Sequence, residues 1–330
     1  MQHPTARLRG LPLGTPVFLA TTLAIATGHS PVAHAGETKA LITPSKVINV
    51  GTRPESVTKG FGGYYYVTVQ NSDNTPGDGV VKVMQRSETR DFATGLDEPK
   101  GICFTGKFLV VADLKRVWKI DAKGDKTELA PEKNFPNPIG MLNDIGCEPG
   151  GKAIFVSDMG ANTKMRDPQK RLWGLNSEGA KALPAIGRVY RIALDGKISV
   201  AVDARPEMPC PNGVTAPTKK QLLVAEFFTG TIFDLEGKNF RPIVSGLRGA
   251  DGLEEWKGFV YVSSWEQGKL WRFRPTKPEK GEEAAASEPE EITLLAEGYK
   301  SAADFFIDRQ TNEILLPDMK AGTVSVLPLK

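Results

Sequence analysis

Four residues along this chain, Glu55, Asn143, Asn212 and Asp251, are oxygen donors of the kind that bind a hard cation. Each is the middle of a short recurring unit: Pro54-Glu55-Ser56, Leu142-Asn143-Asp144, Pro211-Asn212-Gly213 and Ala250-Asp251-Gly252. Two further copies carry Lys100 (Pro99-Lys100-Gly101) and Ala303 (Ala302-Ala303-Asp304) at that position. Two carboxylates and two amide carbonyls meeting at one point would balance a divalent charge, and water would complete the roughly six to eight oxygens that calcium accepts. No thiolate or imidazole occupies the position, which weighs against zinc and copper. Taken singly, Asn212-Gly213 and Asp251-Gly252 are ordinary turn dipeptides. Their shared phase in a repeat is what makes a site of them.

The repeat must therefore position them. Successive middle residues are 45, 43, 69, 39 and 52 positions apart. The long interval contains a Lys-, Arg-, Asn- and Gly-rich insertion, 160–186, without which it falls to 42, and the last contains a Pro/Lys/Glu/Ala stretch, 275–290. A period of about 40–45 residues with several strands per unit is the signature of propeller blades. In each unit a short apolar run follows, such as Phe108–Ala112, Ala153–Val156, Gln221–Ala225, Phe259–Val262 or Glu313–Leu316. A third strand then shows period-2 alternation, as in Arg116–Ile120, Arg188–Ile192, Thr231–Leu235, Lys269–Phe273 and Thr323–Leu327. No stretch has a convincing helical period. The expectation is an all-β, six-bladed β-propeller in which residues at one phase of the innermost strands meet on the axis. The last unit has only three clear strands, so residues 38–51 are expected to supply its outer strand and close the ring. Asp113, Asp158, Glu226, Ser264 and Asp318, which end the second strand of five units, read as acids and hydroxyls that hold turns.

Residues 1–35 read as a signal peptide, leaving 36–330 as the propeller domain. Arg7 and Arg9 precede an apolar run, Leu11 to Ala26, and Ala33-His34-Ala35 suits a small-residue cleavage site. A retained anchor is the alternative, disfavoured by a run shorter than the roughly 20 residues of a spanning helix. The expected location is periplasmic or secreted. All three histidines, His3, His29 and His34, lie in that leader. A mature chain without histidine disfavours Ser-His-Asp or Cys-His catalysis and histidine-bound zinc, leaving carboxylates, metal-bound water, lysine or tyrosine. Loss of Arg7 and Arg9 leaves 40 basic against 39 acidic residues, which gives no electrostatic case for nucleic acid or for an anionic membrane. Cys103 and Cys147 fall at nearly one phase of successive units, so a disulfide is conceivable; buried free thiols are the expectation for all three cysteines.

The runs Arg53-Pro54-Glu55, Leu142-Asn143-Asp144, Cys210-Pro211-Asn212-Gly213 and Ala250-Asp251-Gly252 resemble the regucalcin/gluconolactonase-like six-bladed propellers, which are more distantly similar to strictosidine synthase-like and paraoxonase-like ones. The resemblance spans about Asn49 to Leu327. It implies calcium or another divalent cation held by Glu55, Asn143, Asn212 and Asp251, with Asp251 also the candidate catalytic base. Asp144 and Asp304 are reserves. Lys100 departs from the pattern: it either opposes a metal on the axis, turns outward to hold an anionic substrate, or snorkels to solvent. The insertion is either a lid over the channel mouth or a plain surface loop. Asn71–Gly79 lacks the glycine and glutamate of a helix-flanked calcium loop, and Gly60-Phe61-Gly62-Gly63 lacks a phosphate-loop context. Two functions follow: a metal-dependent hydrolase acting on a lactone or related ester as its small-molecule substrate, or a non-catalytic ligand- or protein-binding propeller with a structural cation. A condensing enzyme rests on fold analogy alone.

Overall fold

The computed structural model describes residues 40–72, 75–86, 88–237, 239–276, 289 and 291–329, all within the unit Lys39–Lys330. The leader, and nearly all of the 275–290 stretch, lie outside the described residues. Six four-stranded antiparallel sheets account for the strands. Their innermost strands are Pro54–Lys59, Pro99–Phe104, Leu142–Cys147, Pro211–Thr218, Ala250–Trp256 and Phe306–Asp308. Each touches the next, and the last returns to the first, which makes the ring of a six-bladed propeller.

The second strands explain the apolar runs. Leu109, Val110, Val111 and Ala112 are all buried because the blade is sandwiched between two neighbours. Val110 and Ala112 face the third blade, whereas Leu109 and Val111 face the first. Six apolar clusters result, one at each blade interface. The core is a ring of sheet-to-sheet contacts rather than one central mass, which leaves the axis to polar residues.

The sixth blade closes as expected. Lys46–Asn49 pairs antiparallel with Thr323–Pro328, Lys46 opposite Val326 and Asn49 opposite Thr323, and is the outer strand of that sheet. Ile48 and Val50 are buried against Val57, Val67 and Val324.

One expectation changes. Cys103 and Cys147 are joined in a disulfide, with Cα atoms 5.8 Å apart; only Cys210 is a buried free thiol. The reason is geometric. Equal phase on adjacent inner strands means proximity near the axis, where blades are closest, and 5.8 Å lies within disulfide range. The insertion is not a free loop. Met165, Leu172 and Trp173 pack with Met159, Phe227 and Trp265. Arg166 pairs with Glu266 at 2.8 Å, and Arg248 donates to the Trp173 carbonyl at 2.7 Å. It is fastened to the fourth and fifth blades on the face where their inner strands begin.

Candidate functional site

Each candidate residue sits in a β-bulge. In the first five blades the inner strand gains one residue on its partner: Pro54 opposes Val69 while Val57 opposes Val67, and Leu142 opposes Asp158 while Ile145 opposes Val156. The same shift recurs between Pro99 and Ile102, Pro211 and Val214, and Ala250 and Leu253. Glu55-Ser56, Lys100-Gly101, Asn143-Asp144, Asn212-Gly213 and Asp251-Gly252 are therefore pairs set against one partner residue, as bulges that re-aim side chains are.

Three of those partners are hydroxyl residues, and each accepts the amide freed by the bulge. Thr68 takes the N–H of Ser56 at 3.0 Å, Ser157 that of Asp144 at 3.0 Å, and Ser263 that of Gly252 at 2.8 Å. The Thr68 hydroxyl also donates to the Lys100 carbonyl at 2.7 Å, and that of Ser263 to the Ala303 carbonyl at 2.8 Å. One side chain thus fixes its own bulge and the next blade's axial residue. In the blades where this partner is Ala112 or Ala225, the second bulge residue is glycine. A Cβ on Gly101 would lie 2.4 Å from the Ile145 nitrogen, and one on Gly213 would lie 2.0 Å from the Asp251 carbonyl oxygen. The inner strands approach too closely there for any side chain.

The acids ending the second strands behave as turn holders. Asp113 accepts from the Asp97 and Glu98 amides, Asp158 from Gly140, Met141 and Gly160, Glu226 from Cys210 and Thr229, and Asp318 from Lys300, Ser301 and Ala321. Each pins the loop that enters its own blade's inner strand, just ahead of the axial residue. Val69 stands at this phase in the first blade. There Gln70, one residue later, does different work. Its carbonyl accepts from Arg53 at 2.7 Å, and its amide donates to a Glu55 carboxylate oxygen.

Glu55, Lys100, Asn143, Asn212 and Asp251 are all buried, at 2–6% exposure. Burial raises the Asp251 carboxyl well above the usual carboxylate range, the charges of Glu55 and Asp144 push it further, and Lys100 and Asn212 oppose the rise. Asn143 donates from its amide nitrogen to the Met159 sulfur at 2.9 Å, at the root of the insertion. Lys100 turns inward. Its ammonium lies 3.7 Å from both Glu55 and Glu98, with the side chain 7% exposed, so it neither snorkels nor reaches outward.

The residue ring beneath is Ser56, Asp144 and Asp304 with three glycines. Asp144 accepts the Val214 amide of the next blade at 2.6 Å, Ser56 accepts that of Ile102 at 3.3 Å, and Ser56 donates to Asp304. Burial chiefly lifts Asp144 to about 7 and Asp304 well above its normal range. These two acids tie inner strands together. The far ends of the inner strands open into a cavity of about 690 Å³ floored by Asp144, Glu254 and Asp304, on the opposite side from Glu55 and Asp251.

Whether the upper ring suits a cation can be judged from its oxygens. Among the described residues no three His, Cys, Asp or Glu side chains form a metal-binding group. The donor set is instead mixed, two carboxylates and two amides. Asn212 Oδ1 and Asp251 Oδ1 are both fully buried and have no hydrogen-bond partner. Such oxygens are costly to bury without a partner. An amide oxygen and a carboxylate oxygen left so at the same position of adjacent inner strands fit a hard cation.

Solved structures with this architecture include a gluconolactonase of Xanthomonas campestris, 17% identical, covering 88% of this chain and 94% of that one with a TM-score of 0.60. This is a gluconolactonase-like propeller fold. A second structure, solved under a provisional gluconolactonase assignment, is 13% identical over 87% of this chain and 93% of its own, with a TM-score of 0.58. A chain of a nidogen/laminin complex is 13% identical over 72% and 79%, with a TM-score of 0.53. At these identities the likeness is one of fold. No family profile matches the chain, and no protein of curated function matches it.

Gln70 and Glu98 are the site residues that the repeat did not flag. Gln70 lies one position off the phase of the turn-holding acids, and Glu98 precedes the unit. The available signal was Val69, an apolar residue where the other blades carry an acid or hydroxyl.

Proposed function

We propose that this chain is an exported, metal-dependent hydrolase of a lactone or related ester, with Glu55, Asn143, Asn212 and Asp251 as ligands of a divalent cation such as calcium. The observation that carries the reading is the pair of buried, unpartnered oxygens on Asn212 and Asp251. Gluconolactonase-like neighbours lend it support at the level of fold. A bound divalent cation supplies Lewis acidity, polarising a carbonyl and stabilising the charge that develops on its oxygen.

The chain's own residues supply the rest. Gln70, itself held by Arg53, fixes the Glu55 carboxylate. Burial raises the proton affinity of the Asp251 carboxylate, and Asp251 takes the proton of the attacking water. Bulges fastened by hydroxyls, or packed through glycine, hold these groups on rigid strands, as preorganised chemistry requires. Export is supported by the 1–35 pattern and by the Cys103–Cys147 disulfide, which belongs in an oxidising compartment. Among the described residues no helix is long and apolar enough to cross a membrane.

A ligand- or protein-binding propeller with a structural cation is the second reading, favoured by the lysine within the ring. Hydrolysis of a panel of small lactones and esters, with and without chelator, separates the two. The enzyme reading expects chelator-sensitive turnover that Asp251→Asn reduces by at least a hundredfold. Cation-loaded protein inert on the whole panel sinks it.

A further inference from the structure

Lys100 is the one cation placed in a ring of oxygen donors, and it is buried there. Its ammonium stands 3.7 Å from Glu55 Oε2 and 3.7 Å from Glu98 Oε2. Side-chain exposures are 7% for Lys100, 6% for Glu55 and 13% for Glu98. At these distances it balances Glu55, a carboxylate of the proposed centre, together with Glu98 beside it. A divalent cation and this ammonium compete for the same negative charge.

We infer that Lys100 is a built-in counter-ion. It neutralises the centre when no metal is bound, and a divalent cation enters as the ammonium shifts its allegiance from Glu55 to Glu98. This rests on the reading of Glu55, Asn143, Asn212 and Asp251 as a cation centre.

A buried ionised carboxylate without its counter-charge is costly, so removing the ammonium leaves Glu55 uncompensated in the metal-free protein. The same removal takes away a like charge that a metal must overcome. Lys100 therefore acts in opposite directions on the empty and loaded forms, whereas a residue that only packs would affect both alike. Glu98 gives the displaced ammonium somewhere to go. Without it, the shift loses its second acceptor and cation binding weakens.

Calcium chloride titrated calorimetrically into the whole chain, with thermal midpoints measured in chelator and in saturating calcium, tests this. Lys100→Met is expected to bind calcium at least tenfold more tightly than wild type while melting lower in chelator. Glu98→Gln is expected to bind several-fold more weakly. If wild type binds and Lys100→Met binds equally or more weakly, the counter-ion inference is overturned and the cation centre stands. Binding by Lys100→Met alone supports the inference and removes the metal-dependent reading of wild type. Silence from both variants and wild type overturns both. Should Lys100→Met fail to fold, Glu98→Gln decides: unchanged affinity in that variant overturns the inference.

Discussion

Replacing Gly213 with alanine puts a methyl group where the carbonyl oxygen of Asp251 already stands. The added Cβ would sit 2.0 Å from that oxygen and 3.0 Å from Leu253 Cβ. Both belong to the inner strand of the fifth blade, and the first is backbone, so no rotamer change relieves the overlap. One inner strand must move by more than an ångström. Overpacking of a tight interior costs about 1–3 kcal/mol, and a backbone clash belongs at the upper end, about 3 kcal/mol. For a domain of this size a loss of that order lowers the thermal midpoint by about 6 °C. The strand that moves carries Asp251, so calcium affinity should fall with stability. Gly174→Ala is the control, because nothing lies within 4 Å of a Cβ there. Thermal melts followed by circular dichroism, together with calcium titration, read out both effects. If Gly213→Ala melts with Gly174→Ala, the close approach of the inner strands does not constrain residue 213.

Two other outcomes are expected. The Cys103–Cys147 bridge closes a loop with a sequence separation of 44, for which chain entropy gives about 4 kcal/mol. The double serine variant, or wild type in reductant, should melt about 8 °C lower, and an unchanged midpoint would contradict a formed disulfide. Burial lifts Asp144, Glu226 and Glu254 to about 7. A carboxyl raised in the folded state contributes stability below its unfolded pKa of about 4 and loses it as pH climbs through the folded value. Glu148 and Asp308, held low, lose their contributions only in stronger acid, outside that window. The midpoint of the chelated protein should therefore fall from pH 5 to pH 8; a rise over that range would refute the linkage.

Much of the architecture was legible because blade geometry repeats in sequence. The apolar second strands are continuous where both faces are covered, as at Leu109–Ala112, and the unpaired edge of the last unit pointed to Lys46–Asn49. The axial positions were legible for the same reason. The bulges were not, because a one-residue slip leaves no mark on composition; they emerge only from the pairing of Pro54 with Val69 and of Val57 with Val67. Lys100 was visible as an exception, but its direction depended on Glu98, a residue outside the repeat. The disulfide needed a distance between strands, which phase alone does not supply.

The closing strand has a consequence for the order of events in folding. Lys46 finds its partner in Val326, nearly the whole chain away. During synthesis Lys46–Asn49 emerges early and stays without its neighbour until almost everything else has been made. Five blades can assemble from contiguous stretches, but the ring cannot shut until its late strands are available. Such long-range closure makes folding slow and leaves a sheet edge open to other chains in the meantime. The latch that secures the finished molecule is also its longest wait.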